Sequence, residues 1–220
     1  MAVTYDYKRS SNPVSAIVSA GAKPVFVDID ETSFLMDTSK IETAITSKTK
    51  CILPVHLFGQ CVDMDEVNRI ARQYNLKIIE DCAQSHGAIY KNRKAGSMSD
   101  IAATSFYPTK ILGAYGDGGM VLTNNEDLYK KLLRLRFYGM DGSYRAIEQG
   151  YNCRLDELQA AILLKKLNHI KDYLSKRRYL AEQYTNLLKD TSLILPVEKP
   201  EGIHAYYLYV VRHPKRDLIL

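Results

Sequence analysis

Apolar and polar positions fall into short, well-separated blocks along the first half of this 220-residue chain. Asn12 to Ala20 carries a helical pattern that Gly21 and Pro24 stop. Val25-Phe26-Val27-Asp28 is a compact apolar run of strand length. Asp37 to Thr46 predicts a helix with Ile41, Ala44 and Ile45 on one face, and Cys51-Ile52-Leu53-Pro54-Val55 is the next strand. Asp63 is placed to cap a helix to about Tyr74, with Val67, Ile70 and Ala71 turned inward. Leu76 to Glu80 is a third strand, ending at Asp81. Strands that alternate with helices in this way are βαβ units, so a mainly parallel sheet follows. In such sheets ligands sit beyond the carboxyl ends of the strands, where Asp81 falls.

Two further strands are expected at Ile101–Phe106 and Gly119–Thr123. The tight Asp117-Gly118-Gly119 link suits an antiparallel partner. Asn125 to Phe137 reads as a helix with an apolar face of Leu128, Leu132, Leu133 and Leu135. The longest helical pattern runs from Arg154 to about Leu188, where Leu163, Leu167, Ile170 and Leu174 recur at helical spacing. Asn152 has the chemistry of its N-cap. Tyr206 to Val211 is expected as a strand.

Composition narrows the classes. The apolar and charged fractions, 46% and 25%, are those of an ordinary globular protein, so neither disorder nor a fibrous repeat is indicated. No apolar run approaches the ~20 residues that span a bilayer, and the first residues lack the apolar core of a signal peptide, so a cytoplasmic, membrane-free protein is expected. Cys51, Cys61, Cys82 and Cys153 are widely spaced, without C-x-x-C, and with the scattered histidines make no zinc signature; no metal is expected. The net charge of +5 lies mostly in the second half, but the lysines line one solvated helix face without aromatic interleaving, which argues against nucleic-acid binding.

The chemistry concentrates between Ile79 and Asn125. Asp81 ends an apolar strand, and Lys110 follows the next strand in a turn bounded by Pro108 and by Gly113, Gly116, Gly118 and Gly119. A lysine able to form a Schiff base and an acid able to keep a pyridine nitrogen protonated are what a pyridoxal phosphate site needs. Ser105, five residues before the lysine, could bond a phosphate. The lysine precedes the glycines and no G-K-[ST] occurs, so this is not a Walker A loop, and the spacing does not fit the dinucleotide G-x-G-x-x-G. Taken singly, Lys110 could be a solvated surface lysine and Asp81 a strand-end capping acid; their neighbours favour the site.

The blocks Glu80-Asp81-Cys82-Ala83-Gln84-Ser85-His86-Gly87-Ala88, Ser105-Phe106-Tyr107-Pro108-Thr109-Lys110, Gly116-Asp117-Gly118-Gly119 and Gly150 to Ala161 occur in that order. Together they resemble the DegT/DnrJ/EryC1/StrS family of pyridoxal phosphate sugar aminotransferases. The resemblance runs from about Ser15 onward. It implies an α/β, PLP-dependent transferase fold of type I, with a cofactor-binding large domain over residues 13–150. Residues 151–220 would be a connecting helix and the start of a small C-terminal domain.

By position, the resemblance makes Lys110 the Schiff-base lysine and Asp81 the partner of the pyridine nitrogen. Gln84 would lie by the cofactor ring and its phenolic oxygen, Ser105 would bind the phosphate, and His86 would line the site. Asn152 would reach the phosphate of a neighbouring subunit's cofactor, which implies a homodimer with shared sites. The reaction implied is transfer of an amino group from glutamate to a keto group of a nucleotide-linked deoxysugar, with carbon 3 of a dTDP-linked 6-deoxy sugar as the expected acceptor. A histidine in place of the lysine marks a dehydratase branch, which Lys110 argues against.

Two stretches depart from the family pattern. Tyr5 and Tyr7 do not match its ring-stacking aromatic position, and Tyr206-Tyr207-Leu208 stands where many relatives have an aromatic-histidine pair. The chain also lacks the family's opening segment and the end of its small domain, so weak cofactor binding is expected. The competing expectation is a non-catalytic chain that only dimerises.

Overall fold

In the computed structural model, backbone is described for residues 2–6 and 11–218 and side chains for 13–217. The chain begins with β1 (Ala2–Asp6), α1 (Ser11–Ser19) and β2 (Lys23–Val27). A 3-10 turn at Thr38–Lys40 leads into a single α turn, α2 (Ile41–Ala44), and then β3 (Thr49–Ile52). Next come α3 (Met64–Gln73), β4 (Lys77–Asp81), and the two-residue strands β5 (Ile89–Tyr90) and β6 (Arg93–Lys94). They are followed by β7 (Ile101–Ser105), β8 (Gly119–Leu122), α4 (Glu126–Leu135), α5 (Glu157–Leu167), α6 (Ile170–Leu188) and β9 (Gly202–Ile203).

The main sheet has the order β2-β1-β3-β4-β7-β8, parallel except for the β7–β8 pair. A smaller sheet, β6-β5-β9, ties residues 202–203 to the middle of the chain. The parallel α/β sheet and the antiparallel last strand agree with the sequence pattern. The strand Ala2–Asp6 was not foreseen; its side chains, and all of Tyr7, lie outside the described residues. The core fills the space between sheet and helices, with Leu35, Ile41, Ile52, Val62, Val67 and Ile70 almost fully enclosed. Burying side chains of this size is worth about 1.5–3 kcal/mol each.

Several local expectations need correction. The helix expected over Asp37–Thr46 shrinks to a 3-10 turn, capped by the Asp37 carboxylate at Ser39 N–H, and one α turn that ends where the chain turns extended at Ile45. The long helical pattern is two helices, broken at Asn168–His169. The break lets Leu163 join a small cluster with Phe106, Leu112 and Ala114, while Leu174 packs against the main core. Asn152 is not an N-cap: the cap position belongs to Asp156, and Asn152 forms an isolated bridge with Phe137. Tyr206–Val211 is not a strand. Tyr206 has φ +46°, a left-handed conformation that interrupts any ladder, and only Arg212 makes a bridge, to Ile194.

Candidate active site

The carboxyl ends of β4 and β7 lie side by side, with Asp81 in register with Ala103. Strand alternation then puts Asp81 and Ser105 on one face of the sheet and Glu80 on the other. Asp81 is held through its backbone, which donates to Pro54 O at 2.9 Å and accepts from His56 N at 3.1 Å. Its carboxylate accepts one hydrogen bond among the described residues, from Ala83 N–H at 2.9 Å. Burial pushes the Asp81 carboxyl above its ordinary value, and the Ala83 N–H, then His56 and Lys110, pull it only part of the way back.

Lys110 sits in the turn that follows β7. Its N–H donates to Tyr107 O at 2.8 Å, and Ala114 N–H returns to Phe106 O at 2.7 Å. The residues just after it, Ile111, Leu112 and Ala114, are buried and anchor the turn from below. Gly113 is required here, since a Cβ would come within 2.4 Å of Pro108 O. Lys166 donates to the Gly113 carbonyl and fastens the turn to α5. The Lys110 ammonium lies 4.8 Å from the centre of the Tyr207 ring.

Gln84 and Ser105 complete the group. The Gln84 side-chain oxygen accepts from Phe58 N–H at 2.8 Å, which leaves the donor end of the amide for a ligand. Ser105 Oγ accepts from Tyr107 N–H at 3.2 Å, and its hydroxyl proton remains to be donated. His86 is also part of this wall. Thr104 Oγ1 donates to Cys82 O at 3.2 Å, so His86 Nε2 donates to Thr104 Oγ1 at 2.9 Å. Its ring stacks on Phe106 and its buried Nδ1 has no partner among the described residues. Burial and the nearby Lys110 charge hold the His86 imidazole down at about 4, so it is neutral at neutral pH.

The structure does not bring all the expected residues together. Asn152 is exposed, and its side-chain oxygen accepts from Arg154 Nε at 2.9 Å; no contact joins it to Asp81, Gln84, Ser105 or Lys110. Two features escaped the sequence reading. Tyr207 comes from a segment far along the chain, and only its departure from the family pair singled it out. On the far side of β4, His56, Glu80 and Cys82 cluster closely enough to hold an ion. Their donors are already taken: His56 Nδ1 accepts from Val62 N–H and Nε2 donates to Glu80 at 2.8 Å, so the trio is a structural node.

The arrangement fits pyridoxal phosphate. A desolvated carboxylate with one N–H partner calls for a cationic donor, and a pyridinium nitrogen is such a group. The Lys110 charge is near enough to act on the carboxylate, and Ser105 lies on its face of the sheet. The fold is that of the PLP-dependent transferases with a mostly parallel central sheet. The profile of the DegT/DnrJ/EryC1/StrS aminotransferase family matches residues 11–219, and the chain belongs to that family.

Three similar proteins indicate the range. The dTDP-3-amino-3,4,6-trideoxy-alpha-D-glucose transaminase of Micromonospora megalomicea subsp. nigra is 51% identical over 212 residues, covering 94% of this chain and 57% of the relative. The dTDP-3-amino-3,6-dideoxy-alpha-D-galactopyranose transaminase of Aneurinibacillus thermoaerophilus is 47% identical, covering 93% of this chain and 56% of the relative. The crystal structure of S. venezuelae DesV in complex with a ketimine intermediate superimposes with a TM-score of 0.96 at 39% identity, covering 99% of this chain and 59% of that one. The chain thus spans somewhat more than half the length of the relatives it matches. No helix among the described residues is long and apolar enough to cross a membrane.

Proposed function

We propose that the carboxyl ends of β4 and β7 bind pyridoxal phosphate and that the chain carries the cofactor site of a sugar-nucleotide aminotransferase. The observation that carries this reading is Asp81, a half-buried, desolvated carboxylate with one N–H partner among the described residues and within reach of the Lys110 charge. When bound, the cofactor supplies an electron sink for the pair left on the amino-bearing carbon.

The chain's residues divide the remaining work. Asp81 would hold the proton on the ring nitrogen. Gln84 would direct its amide donor at the ring and its phenolic oxygen, and Ser105 would donate to the phosphate. Lys110 would attach the cofactor covalently and, once free, take a proton at Nζ from the substrate carbon and return it, as base and then acid. His86, kept neutral, would close the wall without adding charge beside the lysine. Asn152, exposed and away from these groups, would serve the phosphate of a neighbouring copy in a homodimer.

The domain division at residues 13–150 and 151–220, a cytoplasmic location, glutamate as donor and a nucleotide-linked keto-deoxysugar as acceptor belong to the same proposal. The names of the similar transaminases favour amination at carbon 3 of a dTDP-linked deoxysugar. The test is to incubate the protein with pyridoxal phosphate, glutamate and a dTDP-3-keto-6-deoxyhexose and to follow both products by mass spectrometry. Equal amounts of 2-oxoglutarate and amino sugar are expected. 2-Oxoglutarate without amino sugar would overturn the acceptor, and neither product would overturn the activity.

A further inference from the structure

Tyr207 is delivered to Lys110 by a chain of contacts that neither the strand pattern nor the cofactor requires. Residues 205–208 lie along the Phe58–Gly59 turn: Ala205 N–H donates to Gly59 O at 2.8 Å and Leu208 N–H to Phe58 O at 3.3 Å. That turn is itself unusual, with φ +58° at Phe58 and +105° at Gly59. A Cβ on Gly59 would stand 2.9 Å from Tyr207 N, so the glycine is what allows the segment to come this close.

The kink that aims the ring is at Tyr206. Its positive φ is costly for a bulky residue, and strain of this kind persists only where surrounding contacts impose it. The contacts are present. Tyr206 stacks on His204 at 4.1 Å with the rings nearly parallel, and its N–H donates to His204 Nδ1 at 2.8 Å. Arg177, on α6, donates to the carbonyls of both Tyr206 and Tyr207, at 3.2 and 3.1 Å. The Tyr207 hydroxyl lies 3.4 Å from Thr109 Oγ1, next to Lys110 in the turn.

We propose that Tyr207 is a positioning residue for Lys110: the C-terminal segment carries its ring against the lysine's ammonium and fixes where the amine points. The ring face is negative and attracts the cation, while the backbone bonds of its segment to Phe58, Gly59 and Arg177 fix where the ring sits. The lysine is thereby held from two sides, by the turn after β7 and by a segment nearly one hundred residues later. The inference rests on reading Lys110 as the reactive amine.

The test labels the protein, without pyridoxal phosphate or substrate, with trinitrobenzenesulfonate and measures the rate at Lys110 by peptide mass spectrometry. The exposed Lys77 and Lys130 serve as internal standards. Tyr207→Leu, which removes the ring face, should raise labelling of Lys110 relative to the standards by about two- to thirtyfold. Tyr207→Phe, which keeps the face, should stay within about twofold of the parent. Arg177→Met leaves the ring in place but frees the segment, and should move Lys110 in the same direction as Tyr207→Leu. It also decides the matter if Tyr207→Leu does not fold. Parent-like labelling of Lys110 in both Tyr207→Leu and Arg177→Met would overturn the proposal. The two readings fail separately: a chain that never attaches pyridoxal phosphate sinks the proposed function and leaves this labelling result intact.

Discussion

Glu80 and Asp81 are adjacent carboxylates on one strand, and the protein treats them in opposite ways. Glu80, on the core face, is fully buried and fully answered. One oxygen accepts from Met98 N–H and Ser99 Oγ, the other from Gly96 N–H and His56 Nε2, each at 2.8 Å. Burial alone would raise its carboxyl, but these bonds outweigh it and hold Glu80 below the usual carboxylate range. Asp81, on the site face, receives one N–H and stays raised. A charge that is buried and satisfied belongs to the fold, whereas one left short of partners keeps the capacity to bind a cationic donor.

The largest expected effect tests the first half of that contrast. Glu80→Ala removes one partner of a buried pair and strands His56, Gly96 and Met98, so it should cost about 3–5 kcal/mol in urea unfolding. Acid should act through the same group. Because the folded form holds Glu80 below its ordinary 4.5, its stabilisation is full above that pH and is lost as pH falls through the folded value. Glu80→Gln should therefore flatten the acid limb of the stability profile; an unchanged limb would mean that another group carries it.

Asp81 should show the opposite sign. Its folded pKa lies above the ordinary 3.8, so its charge destabilises the fold at neutral pH, and that cost disappears as pH falls below about 3.8. Asp81→Asn should then be as stable as the parent or more so at pH 7, with the difference vanishing in acid. A large loss of stability in Asp81→Asn at pH 7 would erase the distinction between the two residues.

Much of this was legible in the sequence, and the failures have physical causes. The strands at Val25, Leu76, Ile101 and Gly119 and the Asp63-capped helix were readable because compact apolar runs and a helical stripe leave few other options. Asp81 and Ser105 fall at one edge because a parallel sheet gathers its strand ends there. The break at Asn168–His169 was hidden, since the leucine stripe runs through it unchanged and only the two separate clusters reveal the bend.

The segment from Tyr206 to Val211 misled for a different reason. Its aromatic and β-branched residues have strand chemistry, but the contacts of Tyr206 with His204 override it. Nor does any local pattern distinguish Glu80 from Asp81. Only the register with β7 and the loop at Gly96–Ser99 decides which carboxylate is answered.

The measurement that bears most directly on the account is borohydride trapping of pyridoxal phosphate. The parent and its Lys110→Ala and Asp81→Asn variants would be mixed with the cofactor, reduced, dialysed and mapped by peptide mass spectrometry. One reduced cofactor is expected on the Lys110 peptide of the parent and none on that peptide in Lys110→Ala. Asp81→Asn should retain about tenfold less at limiting cofactor, the loss of roughly one charge-assisted contact. Equal label on the parent and on Lys110→Ala, or label spread over exposed lysines such as Lys77, would contradict the account.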